Sequence, residues 1–153
     1  MKKIRNKLLI GLAVLAIVIQ FIPGYENKSS QEPHNSISGV YEIPPNVKGI
    51  LRRSCYDCHS DNTRYPWYMH IQPVRYLLDR HVRHGKEDLN FDEFGTYSER
   101  KRRNKLRAIG NSLTEGSMPL SSYLLVHRSA RMSRQDTTAV LSWIRKVNTV
   151  NKD

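Results

Sequence analysis

The sequence predicts an all-α domain carried behind an N-terminal apolar helix. Three observations support this. Apolar residues recur repeatedly at three- and four-residue spacing. Helix start and stop signals bracket those stretches: prolines and a capping box before them, glycines after them. Alternating strand-like runs are missing, apart from the weak stretch Gly39-Val40-Tyr41-Glu42-Ile43, which fits a short extended piece.

The first element spans residues 1–23. Lys2, Lys3, Arg5 and Lys7 form a basic flank, and an apolar run follows from Leu8 to Ile22, interrupted by Gly11 and Gln20. This is the pattern of a secretory signal or a membrane anchor. The run is short against the ~20 apolar residues of a spanning helix. No small-x-small cleavage site follows in Pro23-Gly24-Tyr25-Glu26-Asn27, and no cysteine sits there to take a lipid. An uncleaved anchor is therefore the preferred reading over a cleaved signal. The basic flank places the N-terminus inside, which exports the remainder to the outer face of the cytoplasmic membrane, in the periplasm or outside the cell.

Residues 24–42 read as a polar tether, with Ser29, Ser30, Ser36, Ser38 and Pro33. The domain is expected over 43–147, with a short tail at 148–153. Its first helix should start after Pro44-Pro45 with Asn46 as N-cap, and Val47, Ile50 and Leu51 make one apolar face. Ser60-Asp61-Asn62-Thr63 is a polar turn, followed by the aromatic knot Tyr65-Pro66-Trp67-Tyr68. The next helix should run from Val74 to His84, burying Val74, Leu77, Leu78 and His81, and end at Gly85. A basic helix from about Ser98 should bury Leu106, Ile109 and Leu113 and stop at Gly116. A short helix fits Tyr123 to Ala130. The last helix opens on a capping box, Ser133 with Asp136, and buries Val140, Trp143, Ile144 and Val147.

The net charge is +11, four of those charges lying in the N-terminal flank. Such a surface could suit acidic partner proteins or the carboxylates of a bound prosthetic group, but a well-solvated basic face is the preferred reading. Arg100-Lys101-Arg102-Arg103 and Lys105 resemble a nucleic-acid tract in isolation. Export argues against nucleic acid as a partner.

Both cysteines of the chain lie in Cys55-Tyr56-Asp57-Cys58-His59. C-x-x-C-H is the attachment signature of haem c. Each thiol adds to one vinyl group, and two intervening residues on a tight helical turn let both sulfurs reach. The histidine after the second cysteine then meets the iron. Cys55 and Cys58 are thus candidate covalent tethers, and His59 the proximal iron ligand. Two rival readings exist. A redox dithiol would need a βαβ context, and zinc would need a fourth ligand. The apolar stripes are thin for a domain of this size, so a large prosthetic group should complete the core.

Met118 lies in Glu115-Gly116-Ser117-Met118-Pro119, a loop position suited to a thioether donor to the iron. His70, His81, His84 and His127 are rival donors, and an open sixth site is the third possibility. Met69 and Met132 read as core fillers. Trp67, with Tyr65 and Tyr68, is a candidate for the haem edge, with core packing the alternative. The free nitrogen of His59 should donate to a backbone carbonyl, with Pro66 and Pro73 the suggested acceptors.

In broad pattern the domain resembles class I cytochromes c: a helix into CxxCH, a later Met-Pro loop and a C-terminal helix with an aromatic, Trp143. More closely it resembles the small haem-binding-domain family of membrane-anchored bacterial proteins. That likeness rests on Ser54 to Ser60, Thr63-Arg64-Tyr65-Pro66-Trp67-Tyr68, Ile71-Gln72-Pro73, Leu89-Asn90-Phe91, Met118-Pro119-Leu120 and Leu141-Ser142-Trp143-Ile144. The resemblance implies a cytochrome c-like helical fold around a covalent haem. It names no settled redox partner. The insert Lys86 to Tyr97 has no clear counterpart in class I cytochromes. The expectation is a membrane-anchored single-haem electron carrier that is not an enzyme. A haem sensor or small peroxidase-like enzyme is the alternative.

Overall fold

A computed structural model of the chain describes residues 2–29 and 34–150. Ser30, Pro33 and the last three residues of the expected tail lie outside them. Every regular element among the described residues is helical, with an isolated bridge between Lys28 and Asn62 besides. The all-α expectation holds.

Helix α1 covers Lys2–Val18 and continues into a 3-10 turn over Ile19–Phe21. The twenty residues from Lys2 to Phe21 are long and apolar enough to cross a bilayer, and none is buried against the protein. Such a helix serves as a membrane anchor or as a signal sequence.

Part of the expected tether packs on the domain. The amide of Tyr25 donates to Asp79 Oδ2 at 2.9 Å, and the Asn27 side-chain amide donates to the Ser60 carbonyl at 2.7 Å. Ile37, in the single turn α2 (Ile37–Val40), is fully buried. The extended piece expected over Gly39–Ile43 therefore begins as a helical turn.

Helix α3 (Pro45–Ser54) has Pro44 at its N-cap, not Asn46, and no side chain caps it. Proline is pre-set for the first helical turn, so the prolines themselves start the helix. Val47, Ile50 and Leu51 are buried as their spacing required. Helix α4 (Tyr56–His59) follows at once, and carries the C-terminal half of CxxCH. A 3-10 turn over Trp67–His70 leads to α5.

Helix α5 runs from Val74 to Asp88, past the Gly85 expected to end it. Its buried positions are Asp79 and Val82, while Val74 and Leu77 are exposed. Half of the expected stripe is thus turned outward, while Leu78 and His81 are half-buried. The insert of residues 86–97 supplies core in its place: Leu89, Phe91 and Phe94 are buried. Burying each such side chain is worth about 1.5–3 kcal/mol.

Helix α6 (Glu99–Glu115) is N-capped by Ser98 and ends at Gly116, whose φ of 69° is a left-handed conformation that glycine adopts without strain. Leu106 is buried, whereas Ile109 and Leu113 are only partly so. The expected helix of Tyr123 to Ala130 is two pieces, α7 (Ser121–Val126) and a 3-10 turn over Arg128–Ala130. Helix α8 (Arg134–Val150) opens on the predicted box. The Asp136 amide donates to Ser133 Oγ at 3.0 Å, and the Ser133 amide donates back to Asp136 Oδ2 at 2.9 Å. These bonds, with Arg53, hold the Asp136 carboxyl below its usual range. Val140, Trp143, Ile144 and Val147 join the Ile37, α3 and Phe91–Phe94 side chains in one core.

Candidate haem site

Helix α3 drives straight into the motif, and its amide ladder carries over: the Cys55 amide donates to Leu51 O at 2.9 Å, and the His59 amide to Cys55 O at 3.1 Å. Cys55 and Cys58 are free thiols on this turn. Burial, the dominant cause for each, pushes Cys55 up to about 12 and Cys58 up to about 11. Redox-active dithiols need the opposite shift.

The imidazole of His59 is fixed from one side. Its Nδ1 lies 2.7 Å from the Gly85 carbonyl and 3.0 Å from the Leu89 carbonyl. Carbonyls only accept, so Nδ1 must carry the proton. Nε2 then bears the free lone pair, the tautomer a metal needs. The acceptors expected at Pro66 and Pro73 are engaged elsewhere. Pro66 O takes the Met69 amide and Pro73 O the Leu77 amide.

Gly85, expected to end α5, lies inside it and packs against the motif. A Cβ there would lie 2.5 Å from the Cys58 carbonyl oxygen. Only glycine lets α5 approach the motif closely enough to offer its carbonyl to His59. A lone glycine inside a helical pattern was the available signal. The segment beyond is stitched to the motif as well: the Phe91 amide donates to His59 O at 2.8 Å, and the Asp61 amide to Asp92 Oδ2 at 2.8 Å. Phe91 stacks on Tyr56 with ring centroids 5.0 Å apart and meets His59 edge-on.

His59 and Cys55 line a cavity of about 280 Å³ with Phe91, Ile109, Leu113, Met118 and Pro119. Ile109 and Leu113 are the α6 positions left partly unburied, and they form its apolar wall. Lys105 supplies a cation at the same cavity. A larger cleft of about 730 Å³ lies against Tyr56, Asp57, Arg52 and Arg64, but it is lined by no histidine, cysteine or methionine. His59, Cys55 and Met118 share the smaller cavity. An imidazole lone pair, a thiol, a thioether and apolar walls suit a haem.

The other predicted residues fall elsewhere. Cys58 lines a separate cavity of about 20 Å³ with His81, Tyr123 and His127. There the Asp57 carboxylate takes two bonds from Arg64 at 3.0 Å each and one from Tyr123 Oη at 2.6 Å. Burial, and then the Asp57 carboxylate, pushes the Tyr123 phenol above its ordinary range. His127 Nε2 shares a 2.7 Å hydrogen bond with Tyr68 Oη, and its ring stacks on Tyr123. Neither His81 nor His127 reaches the cavity of His59, and His70 and His84 are exposed. Trp67 is 75% exposed and lies outside that cavity. Met69 is buried core, and Met132 packs on the core.

Comparison with known proteins points to haem binding. The haem-binding domain family matches residues 14–146. The chain is 27% identical to cytochrome c peroxidase Ccp of Escherichia coli (strain K12), over 95% of its own length and 33% of the relative's. It thus spans a third of the curated relative it matches. No solved structure matches. The expectation of a protein that is not an enzyme is corrected by this relative, which is named for a peroxidase activity.

Proposed function

The chain belongs to the haem-binding domain family, and from that membership we propose that it holds one covalent haem c and transfers single electrons at the outer face of the cytoplasmic membrane. Cys55 and Cys58 are the proposed tethers, His59 Nε2 the proximal donor and Met118 the sixth. The observation that carries this reading is the paired hold of the Gly85 and Leu89 carbonyls on His59 Nδ1, in a cavity that also contains Cys55 and Met118. Bound haem supplies an iron that alternates between ferrous and ferric states. The protein's part is to orient the imidazole, exclude water with Phe91, Ile109 and Leu113, and present Lys105 to an anionic propionate. Class I cytochromes c share this arrangement of motif, Met-Pro loop and closing helix.

The test is a pyridine haemochrome spectrum of protein matured for covalent haem, followed by acid-acetone extraction. Haem should resist extraction in the unaltered chain and be released in Cys55→Ser plus Cys58→Ser. Retention in the double variant would end the covalent reading.

The relative favours a second reading, in which the electrons serve peroxide reduction. Each hydrogen peroxide takes two electrons and two protons to give two waters. Met118 is 39% exposed on its loop, so it is the donor that a peroxide would displace. Rapid oxidation of the ferrous protein by hydrogen peroxide supports this reading, and inertness removes it.

A further inference from the structure

Apart from α1 and the residues just after it, the exposed large apolar side chains among the described residues fall in two short stretches. Trp67, Ile71, Val74, Tyr76 and Leu77 make up the first, and Met118, Leu125 and Val126 the second. Scattered single apolar residues on a surface need no explanation, but a cluster does. Val74 and Leu77 sit one helical turn apart, at about 1.5 Å per residue, and their stripe points away from the core.

The end of α1 is fastened to this cluster. Gln20 Nε2 donates to the Gln72 carbonyl at 3.3 Å, and the Gln72 amide donates back to Gln20 Oε1 at 3.0 Å. The Gln72 side chain donates to Ile22 O at 3.2 Å. Residues 71–74 therefore lie where the apolar helix meets the domain. The second stretch is drawn in by the Tyr68–His127 hydrogen bond, since His127 directly follows Val126. The charges agree. Between Arg64 and His84 the chain carries Arg75, Arg80 and Arg83; the stretch's sole carboxylate, Asp79, is buried, takes the Tyr25 amide and pairs with Arg75 at 3.8 Å, while Arg80 and Arg83 are exposed.

We propose that the face of Trp67, Ile71, Val74 and Leu77, with Leu125 and Val126, rests on the phospholipid bilayer, so that the haem domain is held in one pose on the membrane. The proposal rests on the anchored reading of α1. An interfacial tryptophan, apolar side chains of shallow reach and neighbouring arginines are the chemistry of a surface that dips to headgroup depth. The Gln20–Gln72 clamp sets the face beside the end of α1.

The test uses the full chain in vesicles of phosphatidylcholine with phosphatidylglycerol. The photoreactive residue benzoylphenylalanine replaces Leu77, Trp67, Leu12 or Asn111 in separate variants. After illumination, mass spectrometry should show phospholipid adducts at positions 67 and 77 several-fold above position 111, and adducts at position 12. Adducts at 12 but only background at 67 and 77 would overturn the docked face and leave the anchor standing. Failure to float with vesicles, with no adduct at 12, would overturn the anchor and the docked face together. Adducts joining two chains through position 67 or 77 would overturn the lipid assignment in favour of a second copy.

Discussion

On one side of the cavity His59 is gripped by two carbonyls, backed by Phe91 and closed in by a helix that touches the motif at Gly85. On the other side Met118 sits on a short loop between α6 and α7, partly exposed, held through Ser112 O, which accepts from the Ser117 amide at 3.0 Å, Ser117 Oγ at 3.3 Å and the Met118 amide at 3.5 Å. Both walls contribute a proposed iron donor. The first wall is packed against the folded core through Phe91 and α5. The second is a surface loop. A firm proximal wall with a replaceable distal donor suits electron transfer when the loop is closed and small-ligand chemistry when it opens.

Phe91→Ala should break the first wall most severely. Phe91 is 1% exposed and packs on Tyr56 and His59. Removing such a ring costs about 3–5 kcal/mol, which denaturant unfolding should show. A loss under 1 kcal/mol would mean that the insert is not structural.

Gly85→Ala comes next. In an ordinary helix alanine would gain about 1 kcal/mol over glycine. Here its Cβ would meet the Cys58 carbonyl oxygen at 2.5 Å and the Cys58 Cβ at 3.2 Å. Neither is the end of a flexible side chain, so α5 must retreat. A net loss of about 1–3 kcal/mol is expected, with a lower melting temperature and weaker hold on His59. A higher melting temperature would show that the helix approaches the motif less closely than described.

The two walls also differ in how far they could be read in advance. Cys55, Cys58, His59 and Met118 stand in local motifs, and spacing alone singled them out. The stripe of α3 and the box of Ser133 and Asp136 were legible for the same reason: each is a local pattern with one physical meaning. Gly85 and Leu89 were not, because they act through backbone carbonyls, which any residue has. Their choice depends on how α5 docks, a long-range matter. Val74 and Leu77 misled because apolar periodicity reports a face without saying what covers it. The insert of residues 86–97 has no clear counterpart in class I cytochromes and no helical apolar stripe to mark it, yet Phe91 and Phe94 anchor the core.

Met118→Ala should have the smallest effect on folding and the clearest effect on chemistry. A partly exposed loop residue outside the core contributes within about 0.5–1 kcal/mol, so the variant should unfold close to the unaltered protein and well above Phe91→Ala. If Met118 is the sixth donor, the ferric protein should show a weak near-infrared sulfur-to-iron band that the variant lacks. Carbon monoxide should then bind the ferrous variant rapidly and the unaltered ferrous protein slowly. The opposite pattern is equally informative. Rapid binding by both, with no such band in either, would mean that the distal wall already stands open. The firm wall around His59 would then support a site built for small-ligand chemistry, in line with the peroxidase that the chain resembles.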